Sequence, residues 1–363
     1  MLILYTILVF ICLFFWLKTK AFSPKNSAKP VSLSAVVCCK NEEENLPLLL
    51  SSIATQIADI EQIIFANDNS TDKTLEILQE FSTKFSNVKI FSTTNFGKKN
   101  ALKEAMQFAK NEFVVCFDAD CILPKNYFAI IKSFLQENQP DLVIGGVKYS
   151  LPTTHYSLLT THYSLLSKIQ SLEFASLQVF GAGAALAKMP IMCNGANLAF
   201  RREIWQEAEN HLVESEISGD DVFLLHYVKK IGGKILFLKS AENFVETFPA
   251  KNLKQFFRQR QRWASKSTSY TDWQTIFTAF IVFLLNFEIL FSLVAAFFLP
   301  FFKIYFLIIF LSKILIDSLL LIPFLKFSKQ KNLIKYIPFL SIFYPFYIVF
   351  TTFWGIFGKA RWK

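Results

Sequence analysis

Residues 31–72 read VSLSAVVCCKNEEENLPLLLSSIATQIADIEQIIFANDNSTD, and this stretch decides the fold. Leu33–Cys39 is a short apolar run rich in β-branched residues, residues 44–57 carry apolar positions at helical spacing, and Gln62–Ala66 is a second short apolar run. That order predicts strand, helix, strand. The pattern then continues with an amphipathic stretch at 71–85, a strand at Val88–Phe91, a helix at 98–109 and a strand at Phe113–Phe117. Such alternation is the signature of an α/β fold with a mainly parallel sheet covered by helices. Ligands of these sheets bind beyond the carboxyl ends of the strands, so the polar residues that follow each strand are the candidates for chemistry.

Outward from this core, the composition excludes a purely soluble or disordered chain. The 363 residues are 53% hydrophobic and 18% charged, with a mean hydropathy of +0.35, whereas charged residues make up about a quarter of ordinary soluble domains. The apolar excess sits in residues 1–17 and after Ile276. Leu2–Leu17 is uncharged and is followed by Lys18, Lys20, Lys25 and Lys29. This reads as an N-terminal transmembrane anchor over 1–19 that leaves the following residues cytoplasmic. Ile276–Leu299 and Ile304–Leu325 are each long enough to cross a bilayer. Leu333–Phe357 contains Pro338 and Pro345 and is flanked by Lys326, Lys329, Lys331 and Lys335 on one side and Lys359, Arg361 and Lys363 on the other. It either spans or forms a re-entrant hairpin broken at the prolines, which would keep both basic flanks inside. Region 276–357 thus holds two or three transmembrane or re-entrant segments. Glu288, Lys313 and Asp317 fall inside them and are costly facing lipid, so burial against another helix or a headgroup is expected, with acceptor contact as the alternative. The formal charge of +10 fits lysines facing anionic membrane lipids. No nucleic-acid-binding motif accompanies it, so nucleic acid is not an expected partner.

The polar residues after the strands form a series. They are Lys40-Asn41-Glu42, Asp68-Asn69-Ser70-Thr71-Asp72, Gly97-Lys98-Lys99 and Asp118-Ala119-Asp120. Each has a bland reading, since Asn-Ser-Thr-Asp also caps helices and Gly-Lys also makes turns. The Asp118–Asp120 pair stands out: two carboxylates at i and i+2 after a strand point the same way and repel, and a divalent cation relieves that repulsion. Farther on, Ser218-Gly219-Asp220-Asp221 precedes a helical pattern at Val222–Ile231, and Gln259-Arg260-Gln261-Arg262-Trp263 closes a basic helical stretch starting near Leu253. A helix cap and an interfacial helix are their plain readings.

Together with Asn194-Gly195-Ala196-Asn197 before Phe200-Arg201-Arg202, these motifs over residues 31–270 resemble a membrane-bound family-2 glycosyltransferase of the GT-A fold, similar in organisation to cellulose, hyaluronan and ceramide-glucose synthases. The resemblance implies a GT-A domain over 31–250, an interfacial helix with a Gln-x-x-Arg-Trp motif over 251–275, and inverting transfer of a sugar from a nucleotide-diphosphate donor. It assigns Asp68 and Glu42 to the nucleotide-base pocket, Asp118 to ribose and metal, and Asp120 to Mg²⁺ or Mn²⁺. It places Lys98, Arg260 and Arg262 at the diphosphate, where guanidinium forks suit phosphate oxygens. Trp263 and Asn197 fall to the acceptor, and Asp221, with Asp220 as fallback, to the general base that removes the acceptor hydroxyl proton. One departure is Asn67-Asp68, where the family often carries two aspartates.

Two further features are assigned to structure. The tandem copies TTHYSLL at 153–159 and 160–166 present one face twice, and His155 and His162 stand about 10 Å apart along a helix, too far to share an ion. That helix is expected to run to about Phe180, at the membrane interface or beside the acceptor path. Six cysteines without regular spacing indicate neither a zinc site nor a disulfide framework and are expected to be reduced. The expected function is sugar transfer from a UDP-sugar to a lipid or lipid-linked acceptor at the cytoplasmic face of a bacterial inner membrane. The alternatives are a processive polysaccharide synthase and a membrane scaffold or transporter subunit that has lost catalysis.

Overall fold

The computed structural model describes residues 1–24, 31–150, 165–209 and 219–358. In chain order the elements are α1 (Leu2–Lys18), β1 (Leu33–Cys39), α2 (Leu46–Ala54), β2 (Gln62–Asn67), α3 (Thr74–Lys84), β3 (Val88–Ser92), α4 (Lys98–Met106), β4 (Phe113–Cys116), α5 (Tyr127–Asn138), β5 (Leu142–Ile144) and β6 (Val147–Tyr149). They continue with α6 (Leu165–Leu186), β7 (Leu198–Arg201), α7 (Arg202–Ala208), α8 (Asp220–Lys230), β8 (Ile235–Phe237), β9 (Val245–Thr247), α9 (Leu253–Ser265), α10 (Trp273–Ala295), α11 (Pro300–Phe327) and α12 (Ile337–Phe357). The tandem copies up to residue 164, Ser218, Lys25, Lys29 and the basic residues 359–363 lie outside the described residues.

The chain divides into two compact units. One comprises Lys20–Lys148 and Met192–Phe248, the other Met1–Thr19, Tyr149–Ile191 and Pro249–Lys363. The continuous 31–250 domain expected from sequence is therefore interrupted, because residues 149–191 group with the apolar helices.

The first unit is a seven-stranded sheet of order β3-β2-β1-β4-β7-β5-β8, beside a two-stranded β6-β9 ribbon. The pairs β1–β2, β1–β4, β2–β3 and β5–β8 are parallel, while β7 runs antiparallel to both β4 and β5. All but two residues of β1 and β2 are fully buried, as expected of strands covered on both faces. The predicted strands fall within one residue of the observed ones, and the fold is the expected α/β one, with a mixed, mainly parallel sheet.

The second unit is helical. α10, α11 and α12 contain 23, 28 and 21 residues, or about 34, 42 and 31 Å at 1.5 Å per residue, against a hydrocarbon core of about 30 Å. By length and composition three helices can cross a membrane, Trp273–Ala295, Pro300–Phe327 and Lys331–Phe357, while α1 is a shorter apolar helix. A hairpin broken at the prolines is not what forms: Pro338 sits in the first turn of α12, where no backbone donor is missed, and α12 runs unbroken through Pro345. The charges within these apolar helices are paired, with Lys313 buried and Asp317 and Glu288 half-buried. Lys313 pairs with Asp317 one turn on, the Tyr5 hydroxyl donates to Asp317 at 2.5 Å, and Tyr305 donates to Glu288. Two glycines allow close helix approach. A Cβ on Gly183 of α6 would lie 2.6 Å from Cys12 Cβ of α1, and one on Gly355 of α12 would collide with Ala264 of α9. All six cysteines are free.

Candidate active site

The site in the sheet unit is built from the loops at the carboxyl ends of β1, β2 and β4 and from the start of α8. The loops after β1 and β2 are laced together. Asn41 and Asn69 both take left-handed backbone, φ +54° and +50°, which Asn tolerates better than most residues. The Asn41 side chain accepts from Thr71 N–H at 2.8 Å, and Asn41 N–H donates to Ser70 Oγ at 3.1 Å. Glu42 N–H donates to Thr74 Oγ1 at 2.8 Å, and the Glu43 carboxylate accepts from Lys73 N–H at 3.0 Å. Two short loops separated by about 30 residues thus hold a single shape.

Within that frame Asp68 is 2% exposed. Its carboxylate accepts from Gly97 N–H at 3.0 and 3.1 Å and from Lys40 Nζ at 3.2 Å. The residue expected at the nucleotide base thereby fixes the turn at Gly97, whose φ of +103° suits glycine. The next residue, Lys98, opens α4 and forms an ion pair with Asp118. Burial opposes the Lys98 charge, but Asp118 outweighs it and moves the ammonium above its ordinary pKa.

Asp120 has its pKa raised to about 7, by burial first and then by the charges of Asp118 and Glu42; a Thr247 hydroxyl and Lys98 act the other way. Glu42 itself accepts from Asn45 Nδ2 at 2.9 Å. Crowded carboxylates with incomplete compensation form a donor set that suits a hard divalent cation. Among the described residues no group of three or more His, Cys, Asp or Glu side chains is gathered as a metal site. Two carboxylates with ligand phosphate oxygens completing the shell are a usual Mg²⁺ arrangement, so Asp118 and Asp120 fit the ion. The Cys38 thiol lies near Lys98, Asp118 and Asp220, and burial pushes it up to about 12, leaving it an inert part of the wall.

Asp220 and Asp221 occupy the first turn of α8 after Gly219 at φ +114°, a position where the helix dipole favours carboxylates. Asp221 Oδ2 accepts from Gly195 N–H at 3.0 Å and Oδ1 from Val222 N–H at 2.9 Å. Its charge reaches Lys98, and the structure brings Glu42, Asp68, Lys98, Asp118, Asp120, Asp220 and Asp221 near one another.

Four expected site residues have other surroundings. Asn197, expected at the acceptor, is 1% exposed. It accepts from the Tyr127 hydroxyl at 2.7 Å and donates to Gly146 O at 2.9 Å and Asn243 O at 3.1 Å. Both amide hydrogens and one lone pair of the amide oxygen are thus engaged inside the sheet unit, on a side chain closed off from solvent. Arg260, expected at the phosphates, lies in the helical unit at 2% exposure and forms a two-point ion pair with Glu173 of α6. Burial works against its charge, and Glu173 more than restores it. Arg260 is thus committed to a buried carboxylate. Arg262 and Trp263 are half-buried on α9, with Trp263 beside Phe174 at 6.2 Å between ring centroids. Glu173 escaped the sequence reading; its signal was a lone charge in the otherwise uncharged run 169–187.

Residues 34–206 match the family described as Glycosyl transferase family 2. Among curated proteins the chain is similar to a poly-beta-1,6-N-acetyl-D-glucosamine synthase of Staphylococcus epidermidis, 29% identical over 170 residues, covering 45% of this chain and 39% of that protein. It is also similar to a cholesterol galactosyltransferase of Borreliella burgdorferi, 26% identical over 111 residues and covering 31% of each. The matches thus span well under half the length of these relatives. Among solved structures, a mannosyltransferase from Pyrobaculum calidifontis in complex with GDP-Man and Mn²⁺ aligns at 15% identity over 94% of this chain and 99% of that one, with a TM-score of 0.48. The matched span covers β1 to β4 and the loops that carry Glu42, Asp68, Lys98, Asp118 and Asp120, and the chain therefore carries a family-2 glycosyltransferase domain.

Proposed function

We propose that this protein transfers a hexose from a UDP-sugar, with inversion, to the hydroxyl of a lipid or lipid-linked acceptor at the cytoplasmic face of a membrane. The observation that carries the reading is the convergence of Asp118, Asp120 and Lys98 beside Asp221, a carboxylate whose orientation is set by two backbone N–H groups. Asp118 and Asp120 would hold Mg²⁺ or Mn²⁺, which when bound offsets charge on the departing diphosphate. Lys98 adds positive charge beside the same carboxylates. Asp221 takes the acceptor hydroxyl proton on a lone pair not used by Gly195 or Val222; the oxygen bonds to the anomeric carbon, and the bond to the nucleoside diphosphate breaks. Glu42 lines the same pocket, and Trp263 on α9 is the residue assigned to acceptor recognition.

A second reading, processive polysaccharide synthesis, draws support from the similarity to poly-beta-1,6-N-acetyl-D-glucosamine synthase. The deciding experiment incubates purified protein in dioleoylphosphatidylglycerol vesicles containing dioleoylglycerol with labelled UDP-glucose, UDP-galactose, UDP-N-acetylglucosamine or GDP-mannose, with and without Mn²⁺. Metal-dependent label in discrete organic-soluble species supports the proposal. A polydisperse water-soluble ladder supports the second reading, and no turnover of any donor refutes both.

A further inference from the structure

We infer that Glu173 is a positioning residue for acceptor recognition: acting through Arg260, it sets the side chains of Gln259 and Trp263 on α9. The inference rests on the transferase reading above. Arg260 and Glu173 are each 2% exposed and come from α9 and α6. Arg260 Nε donates to Glu173 Oε1 at 3.2 Å, Nη2 donates to Oε2, and the Tyr347 hydroxyl of α12 donates to Oε1 at 2.9 Å. The remaining edge of the guanidinium turns to the motif itself, since Nη1 donates to Gln259 Oε1 at 2.5 Å. The guanidinium also lies over the rings of Trp263 at 4.2 Å and Phe256 at 4.6 Å. One planar cation therefore touches both the Gln and the Trp of the Gln-x-x-Arg-Trp motif, and one carboxylate holds that cation.

Stability alone does not call for this pair. Buried ion pairs contribute little net stability over apolar residues of similar volume, and the surroundings are already aromatic, with Phe174, Phe256 and Tyr149 at hand. A two-point carboxylate clamp supplies direction: it fixes the plane of the guanidinium and, with it, the Gln259 amide and the Trp263 ring. Tyr347 fixes the carboxylate in turn, so α6, α9 and α12 all contribute to the orientation of two side chains.

The test compares wild type with Glu173→Gln, Glu173→Met and Tyr347→Phe in dioleoylphosphatidylglycerol vesicles. With UDP-N-acetylglucosamine and dioleoylglycerol as probes, the acceptor KM rises about tenfold or more in the Glu173 variants while kcat stays within about threefold, the pattern of a misplaced binding group. Tyr347→Phe moves KM in the same direction by less. A second readout needs no turnover: Trp263 emission, isolated as the difference between each protein and its Trp263→Phe counterpart, shifts to the red in Glu173→Gln and Glu173→Met. An unchanged acceptor KM in a folded Glu173 variant, a fall in kcat alone, or an unchanged Trp263 difference spectrum overturns the inference. A wild type inactive with every donor refutes the transferase reading, and the emission comparison then decides the positioning role by itself. Should Glu173→Met fail to fold, Tyr347→Phe supplies both readouts.

Discussion

Replacing Asn197 with Ala separates a structural amide from an acceptor contact. The side chain makes three hydrogen bonds at 2.7, 2.9 and 3.1 Å, to the Tyr127 hydroxyl and the carbonyls of Gly146 and Asn243. Truncation removes all three and leaves a buried hydroxyl and two buried carbonyls facing a cavity. At about 1 kcal/mol net per hydrogen bond, more where the abandoned partner stays dry, the sheet unit loses about 3 kcal/mol. At roughly 2–4 °C per kcal/mol for a unit of this size, the melting temperature falls by about 6–12 °C. Asn197→Asp is a control that keeps the acceptor for Tyr127 but sets an oxygen against two carbonyls, and it destabilises at least as much. Gly145→Ala should act in the same direction, because its added Cβ would collide with the Asn197 amide. Thermal melts of the purified protein, followed by intrinsic fluorescence, read the loss, and acceptor titrations at a temperature where each variant is folded read the function. An Asn197→Ala protein that melts within about 2 °C of wild type while its acceptor KM rises would refute this reasoning and return Asn197 to the acceptor site.

Other outcomes follow from the same geometry. Asp221→Asn should lower transfer by about 10²–10⁴-fold, the usual contribution of a general base, while equilibrium binding of labelled donor stays near wild type; near-normal transfer would remove Asp221 from the role of base and leave Asp220 to be tested. Asp120→Ala should abolish the Mn²⁺-dependent part of donor binding measured by calorimetry, and EDTA should do the same to wild type; donor affinity indifferent to both would exclude a metal role for this pair. Gly355→Leu should push α12 off α9 at Ala264 and lower the melting temperature, and an unchanged melt would show that the two helices are not in close contact.

The order of strands and helices in the sheet unit was legible in the sequence because it is local. Alternation of apolar runs and helical periodicity needs no knowledge of the rest of the chain, so β1 to β4 lie within one residue of their expected places. The acidic motifs were legible for a related reason: in a parallel sheet, residues just past the strand ends collect at one edge whatever the packing elsewhere, and Glu42, Asp68, Asp118 and Asp120 are brought together there. What a polar side chain does once it arrives was not legible, because that depends on which group stands across from it. Asp68 meets Gly97 and Lys40, and Asn197 meets Tyr127, Gly146 and Asn243. Arg260 meets Glu173, 87 residues away. The break in the sheet domain at 149–191 and the continuous course of α12 through Pro345 belong to the same class. Sequence alone determined which elements form and which edge of the sheet carries the acidic groups, whereas the tertiary structure decided which polar side chains remain available to a ligand, because a buried hydrogen-bonding group must be satisfied by its neighbours and those neighbours come from distant parts of the chain.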